Sequence, residues 1–265
     1  MRRVLIVATW IFFAAISYFI LAEALAPWID LPGLGNIRFT LVFVLFALLH
    51  CAAQEGWART GVFFAVSAVI SFLLEEAGVR TGLIFGPYHY SDMLGAKLGH
   101  VPVLIPLAWF MMIYPSWRVA QAILAPARAP SLKAIASLAL AAAFVMTAWD
   151  TVMDPGMAAS GNWTWENGGP YFGVPLHNYF GWLLTTFLVY VITGLLWRGV
   201  RRSGSVSASF AFLPVIVYSL FALRYVLSNQ IGALKLVALF SMGFPALLAL
   251  LTGARASESV SRPNA

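Results

Sequence analysis

Charge is scarce in this sequence. Only 10% of its 265 residues are charged, while 61% are hydrophobic. A soluble domain carries roughly 25% charged residues. A water-facing surface cannot be built from so few, so lipid must cover most of the exterior. Cysteine is almost missing as well. The single Cys51 excludes an intrachain disulfide framework and any cysteine-based metal cluster. Its expected place is that of a small buried apolar residue. Histidine is thin: His50, His89, His100 and His177 are scattered, with no HxxH or HxxxH pair of the kind a membrane di-iron enzyme needs. There is no GxGxxG motif and no P-loop. The formal charge of +6 does not point to nucleic acid, because the bases sit in short runs between apolar segments.

What is present is a series of long apolar stretches. A membrane span needs about 20 apolar residues. Eight stretches can be read off, at 4–25, 37–53, 61–78, 101–120, 132–153, 176–197, 210–227 and 233–250. The expected fold is all-α: a polytopic membrane helical bundle of about eight transmembrane helices. Residues 1–252 form one transmembrane domain and 253–265 a disordered C-terminal tail. The start also resembles a secretory signal, with Ala24-Leu25-Ala26 as a cleavage site. Its apolar run is longer than a usual signal core, which favours an uncleaved first helix.

Basic residues test the orientation. With the N-terminus inside, the inner segments hold Arg2, Arg3, Arg59, Arg118, Arg128, Lys133, Arg198, Arg201, Arg202, Arg255 and Arg262. The outer segments hold only Arg80 and Lys97, and Arg38, Arg224 and Lys235 sit at span edges. The bias alternates correctly through the crossings, which places both termini in the cytoplasm.

Two long loops, 79–100 and 154–175, fall on the outer side and are dense in glycine, aromatic and polar residues. Such loops at a membrane face either line a cavity or cap one. Most acids gather there. Glu75 and Glu76 lie near the outer end of the third span, Asp150 near that of the fifth, and Asp154 just beyond it. Asp92 and Glu166 are in the loops, and Glu23 and Asp30 are close by. Ionisable residues inside a span are costly and read as functional, so a shared polar pocket is expected in the outer half of the bundle. Adjacent Glu75 and Glu76 point about 100° apart on a helix, so only one faces that pocket squarely. Asp150 and Asp154 are spaced to share a helix face, but Pro155 is expected to push Asp154 out of helical geometry. Each acid could equally serve to neutralise a base, such as Arg224 or Lys235, and hold helices together.

Among the ten tryptophans, Trp109 and Trp149 lie within spans, while Trp28, Trp163 and Trp165 fit an interfacial belt. Electron-rich ring faces stabilise cations. His89, between Tyr88 and Tyr90, is the histidine best placed for chemistry.

Two blocks carry a specific resemblance. The first is 75–115, EEAGVRTGLIFGPYHYSDMLGAKLGHVPVLIPLAWFMMIYP; the second is 148–182, AWDTVMDPGMAASGNWTWENGGPYFGVPLHNYFGW. Together they resemble the membrane-bound carotenoid 1,2-hydratases, the family that includes bisanhydrobacterioruberin hydratase and gamma-carotene 1'-hydroxylase. The resemblance implies addition of water across the terminal C1=C2 double bond of an acyclic carotenoid, giving a tertiary alcohol. It implies a multi-pass enzyme of a bacterial or archaeal cell membrane. The carotenoid would arrive from the bilayer lipid, and other carotenoid-pathway enzymes are expected partners.

Alkene hydration needs an acid held protonated in an apolar site, a group that orients water, and aromatic faces to shelter a cation. It requires no nucleotide, metal or redox cofactor. Applied to the matched residues, this assigns the proton donor to Asp150 or Glu75, with Glu76 and Asp154 as orienting partners. Tyr88, His89, Tyr90 and Asp92 position water. Trp109 and Trp149 flank the cation, and Phe85 and Asn178 complete the substrate contacts.

Other readings stay open. Asp150 and Asp154 could hold magnesium with a prenyl diphosphate, as in a membrane prenyltransferase. A carotenoid- or retinal-binding bundle with Lys235 as a Schiff-base lysine, or a small transporter, would also fit the composition.

Overall fold

A computed structural model describes residues 2–125, 131–202 and 206–261, with side chains as far as Gly253. Arg128, Arg262 and the end of the expected tail lie outside these residues, as does the side chain of Arg255. The chain is a helical bundle. Its long helices are α1 (Arg2–Leu25), α2 (Asn36–Glu55), α3 (Trp57–Thr81), α4 (Leu104–Leu124), α5 (Leu132–Ala159) and α6 (Leu176–Trp197). The short α7 (Ala208–Ala211) leads into α8 (Leu213–Ser228). The last helical unit is α9 (Gly232–Ala238), a π turn (Leu239–Gly243) and α10 (Phe244–Ser261), which runs past the Gly253 where the tail was expected to begin. Among the described residues, six helical units are long and apolar enough to cross a membrane: α1, α2, α3, α5, α6 and Gly232–Gly253. α8 is apolar but shorter.

α4 is the axis of the bundle. All nine residues from Trp109 to Trp117 are buried, and a helix buried all round its circumference belongs at the centre. It packs against α2, α3, α5, α8 and α10. α1 lies outermost, against α2 and α8, and its exposed Val4, Val7 and Ile11 face away from the protein core. Aromatic rings fill the centre: Phe63 meets Phe110, Trp117 and Trp197 edge-on, and Tyr190 donates to the Ile113 carbonyl at 2.8 Å.

Two local features differ from the sequence expectation, and both shape the site. α5 continues through Pro155 to Ala159 instead of ending near Met153. A proline removes the amide that would bond the carbonyl four residues back. That carbonyl belongs to Thr151, and the Tyr171 hydroxyl donates to it instead, at 3.1 Å. The helix therefore survives, and Asp154 stays one turn below Asp150. α4, in turn, starts at Leu104 because Val101–Pro102 (β3) pairs antiparallel with Lys97–Leu98 (β2). α3 ends at Gly82, whose left-handed φ of 67° turns the chain back while its amide bonds the Gly78 carbonyl at 2.8 Å.

Candidate active site

The two long loops meet and pair. β1 (Tyr88–Tyr90) and β4 (Trp163–Trp165) form an antiparallel ladder with Tyr88 opposite Trp165 and Tyr90 opposite Trp163. Side chains alternate faces along a strand. Tyr88, Tyr90, Trp163 and Trp165 are accordingly all buried, while His89 and Thr164 face outward. The ladder is a lid with a four-ring inner face.

Beneath it lies a cavity of about 450 Å³. Its walls include Glu75 of α3, Trp109 of α4, Trp149, Asp150 and Asp154 of α5, and Asn178 and Trp182 of α6. Phe85 enters from the first loop. It fits because α3 and α6 carry glycines there. A Cβ on Gly78 would press on the Phe85 ring, and one on Gly181 would overlap the Ile84 carbonyl.

The acids are buried and held by neutral donors. Tyr88 and Tyr90 both donate their hydroxyls to Glu75 Oε2, the latter at 2.8 Å, and the Trp109 indole donates to Oε1 at 2.9 Å. Trp163 donates to Asp154 Oδ1 at 2.6 Å. The Asn178 amide bridges the two aspartates, at 2.7 Å from Asp154 Oδ2 and 3.0 Å from Asp150 Oδ2. Asp150 Oδ1 is buried without a hydrogen-bond partner. Among the described residues, no ion pair includes Glu75, Asp150 or Asp154. Burial, and then the Glu75 charge, hold the Tyr88 and Tyr90 phenols well above the usual tyrosine range. They remain donors.

Three of the expected site residues stand outside the cavity. Glu76 points away from Glu75, as adjacent helical positions must, and accepts from Arg80 Nε at 2.7 Å and from the His100 amide at 2.8 Å. It latches α3 to the first loop. His89 is on the outer face of β1, 3.8 Å from Glu166. Asp92 is 98% exposed and pairs with Lys97 at 2.9 Å, and that hydrogen bond holds its carboxyl below the usual range. The structure thus brings together Glu75, Asp150, Asp154, Tyr88, Tyr90, Trp109, Trp149, Phe85 and Asn178, and leaves out Glu76, His89 and Asp92. Nor do the outer bases pair with Glu75, Asp150 or Asp154. Arg224 binds Glu23 at 2.7 Å, and Lys235 donates to the Leu227 carbonyl at 3.0 Å.

Three site residues escape the sequence reading. Trp163 and Trp165 look like an interfacial belt until the alternation of Trp-Thr-Trp is set beside Tyr-His-Tyr. Trp182 stacks on Trp109, with ring centroids 3.9 Å apart and planes 17° apart, and meets Trp149 at 6.0 Å. Its signal was its place four residues after Asn178, hence on the same helix face.

Such a site sets buried carboxyls next to an apolar, electron-rich surface. Carboxyl oxygens face a cavity of indole and phenyl rings, and the ring faces suit a transient cation. The space between the two aspartates is taken by the Asn178 amide, which donates to both, whereas a metal ion there would call for acceptors.

The sequence comparisons give the family. Residues 35–254 match the family described as carotenoid biosynthesis protein. Bisanhydrobacterioruberin hydratase of Haloarcula japonica is 32% identical over 164 residues, which cover 61% of this chain and 52% of that protein. The match thus spans about half the length of the relative. No solved structure matches the chain. The family match takes in both loops, the lid and Glu75, Asp150 and Asp154, and the chain belongs to the carotenoid biosynthesis protein family.

Proposed function

We propose that this protein is a carotenoid hydratase that adds water across the terminal C1=C2 double bond of an acyclic carotenoid. The name of the Haloarcula relative supports the reaction class, and the cavity supports the chemistry. One observation carries the assignment of roles. Among the cavity acids, Asp150 alone has a buried oxygen that nothing engages. Both oxygens of Glu75 and both of Asp154 already accept hydrogen bonds.

Asp150 is therefore the proton donor. Its proton adds to C2 of the end group, and the double-bond electrons leave C1 as a tertiary cation. The stacked Trp109 and Trp182, with Trp149 edge-on, face that charge. Water adds to C1, and the oxonium returns a proton to the Asp150 carboxylate. One water is consumed and the acid is restored. Glu75, fixed by Tyr88, Tyr90 and Trp109, orients the attacking water, and Asn178 holds Asp150 and Asp154 in register.

The substrate is a long hydrocarbon, so entry from the bilayer follows from its solubility. We read α4 and α8 as the remaining two crossings of an eight-helix protein with cytoplasmic termini, set in a bacterial or archaeal cell membrane. The 21 residues of α4 span about 31 Å, enough for the hydrocarbon core.

The test is expression in cells that make lycopene, with pigments analysed by liquid chromatography and mass detection. A product heavier by one or two waters is expected. Unchanged pigment with lycopene, gamma-carotene and longer acyclic carotenoids, despite verified membrane expression, would sink the proposal.

A further inference from the structure

Hydration consumes water beside acids that the lid and the bundle bury. The inner face of the lid is four buried rings, and the acids below it are buried as well. Water must nevertheless reach C1 once per turnover. One stretch of the cavity wall differs from the rest. Glu23 near the end of α1 and Arg224 near the end of α8 both line the cavity, pair at 2.7 Å, and keep 32% and 27% of their side chains exposed. Of the residues that follow Arg224 in the chain and also line the cavity, Gln230 is exposed, and Ser228 and Asn229 are half-buried. The wall therefore joins exposed and half-buried polar groups to buried Tyr225, Trp149 and Asp150 around one cavity.

A hydrocarbon end group has no use for this ion pair, since charged groups facing an apolar ligand lose hydration without return. The pair does not neutralise the acids either, because Arg224 is committed to Glu23 and lies over the Tyr225 ring at 4.7 Å. Hydrogen-bonding groups that are partly wet at one end and continuous with a cavity at the other suit one ligand above all, which is water.

We propose that Glu23, Arg224 and Ser228 form the water entry of the cavity. The inference rests on the hydratase reading. Glu23 and Arg224 are positioning residues, because they act on the water and not on the reacting carbons.

The experiment compares steady-state hydration by wild type, a Glu23→Met/Arg224→Met double variant and a Glu23→Gln/Arg224→Gln double variant. The apolar pair should lower kcat at least about tenfold with KM for the carotenoid unchanged, and the polar uncharged pair should recover much of it. A purely structural ion pair would be lost equally in both. Equal loss in both variants, undiminished kcat in the Met pair, or a rise in KM alone would each overturn the proposal.

A second measurement does not depend on the Met pair folding. Cys51 is fully buried, so the thiol of a Ser228→Cys variant can be followed cleanly. A charged, water-soluble thiol reagent should label it in the folded protein and stop turnover. Failure to label, or labelling without effect on turnover, counts against the entry. Absence of hydration by the wild type would instead refute the hydratase reading itself.

Discussion

The two ends of the bundle treat buried acids in opposite ways. At the end of α2, Glu55 is 5% exposed and is met by Arg59 at 3.1 Å and Arg202 at 3.3 Å. Arg59 also donates to the carbonyls of Trp197 and Val200 and stands over the Trp197 ring at 5.3 Å. Nearby, both ring nitrogens of His50 are engaged, by the Tyr114 hydroxyl at 2.6 Å and the Phe210 carbonyl at 2.8 Å. Charge there meets charge, and the cluster ties α2, α3 and α6 together. At the lid end, Glu75, Asp150 and Asp154 meet only hydroxyls, indoles and an amide, and one oxygen meets nothing. Acids paired with cations hold a fold together, while acids held by neutral donors beside a cavity keep their proton chemistry available. The same contrast separates Glu76 from Glu75, one residue apart.

Substitution at each end should break the comparison in opposite directions. Replacing Asp150 by its amide should cut turnover by about 10² to 10⁴, the usual contribution of a general acid, while detergent-solubilised protein keeps its melting temperature. Glu55→Ala should do the reverse. Stability should fall, because Arg59, with only 19% of its side chain exposed, loses its carboxylate partner, with turnover per folded molecule unchanged. Melting curves read alongside pigment conversion separate the two. A Glu55 variant that folds normally but is inactive would erase the distinction.

The lid sharpens it. Gly181→Ala places a methyl against the Ile84 carbonyl and the Phe85 ring. Overpacking of this kind costs about 1–3 kcal/mol, and it should loosen the first loop, visible as faster proteolysis between α3 and α4. The lid phenols give a pH signature. Their pKa values are raised in the folded state, so their contribution is complete below the unfolded tyrosine value of about 10 and is lost as pH rises beyond it. Stability should therefore decline on the alkaline side, more in wild type than in a Tyr88→Phe/Tyr90→Phe variant. The smallest effect is expected at Asp92, an exposed acid paired only with Lys97. Asp92→Asn should leave turnover within about twofold, as for most surface substitutions.

Much of this was legible in the chain, and what was not has physical causes. Scarce charge and long apolar runs dictate a membrane helical bundle, and the gathering of acids on one side pointed to the cavity end. Glu75, Asp150, Tyr88 and Tyr90 were all named from the sequence. The helical setting of Asp154 is hidden because local rules assign a proline a helix break, and only the fold brings Tyr171, sixteen residues later, to the orphaned Thr151 carbonyl. His89 and Asp92 were included because a loop sequence does not reveal that its middle is a strand, and a strand sends alternate side chains outward. The pairing of β1 with β4 joins segments more than seventy residues apart, and nothing local in either specifies the register. Trp163, Trp165 and Trp182 were hidden for the same reason.

The central claim is that Asp150 delivers the proton. The direct measurement is the fraction of pigment that gains water in lycopene-producing cells expressing wild type or Asp150→Asn, at matched levels of folded membrane protein. The account predicts hydrated product with wild type and none above background with Asp150→Asn. Hydration by Asp150→Asn at the wild-type level would contradict it and move the donor to another acid of the cavity.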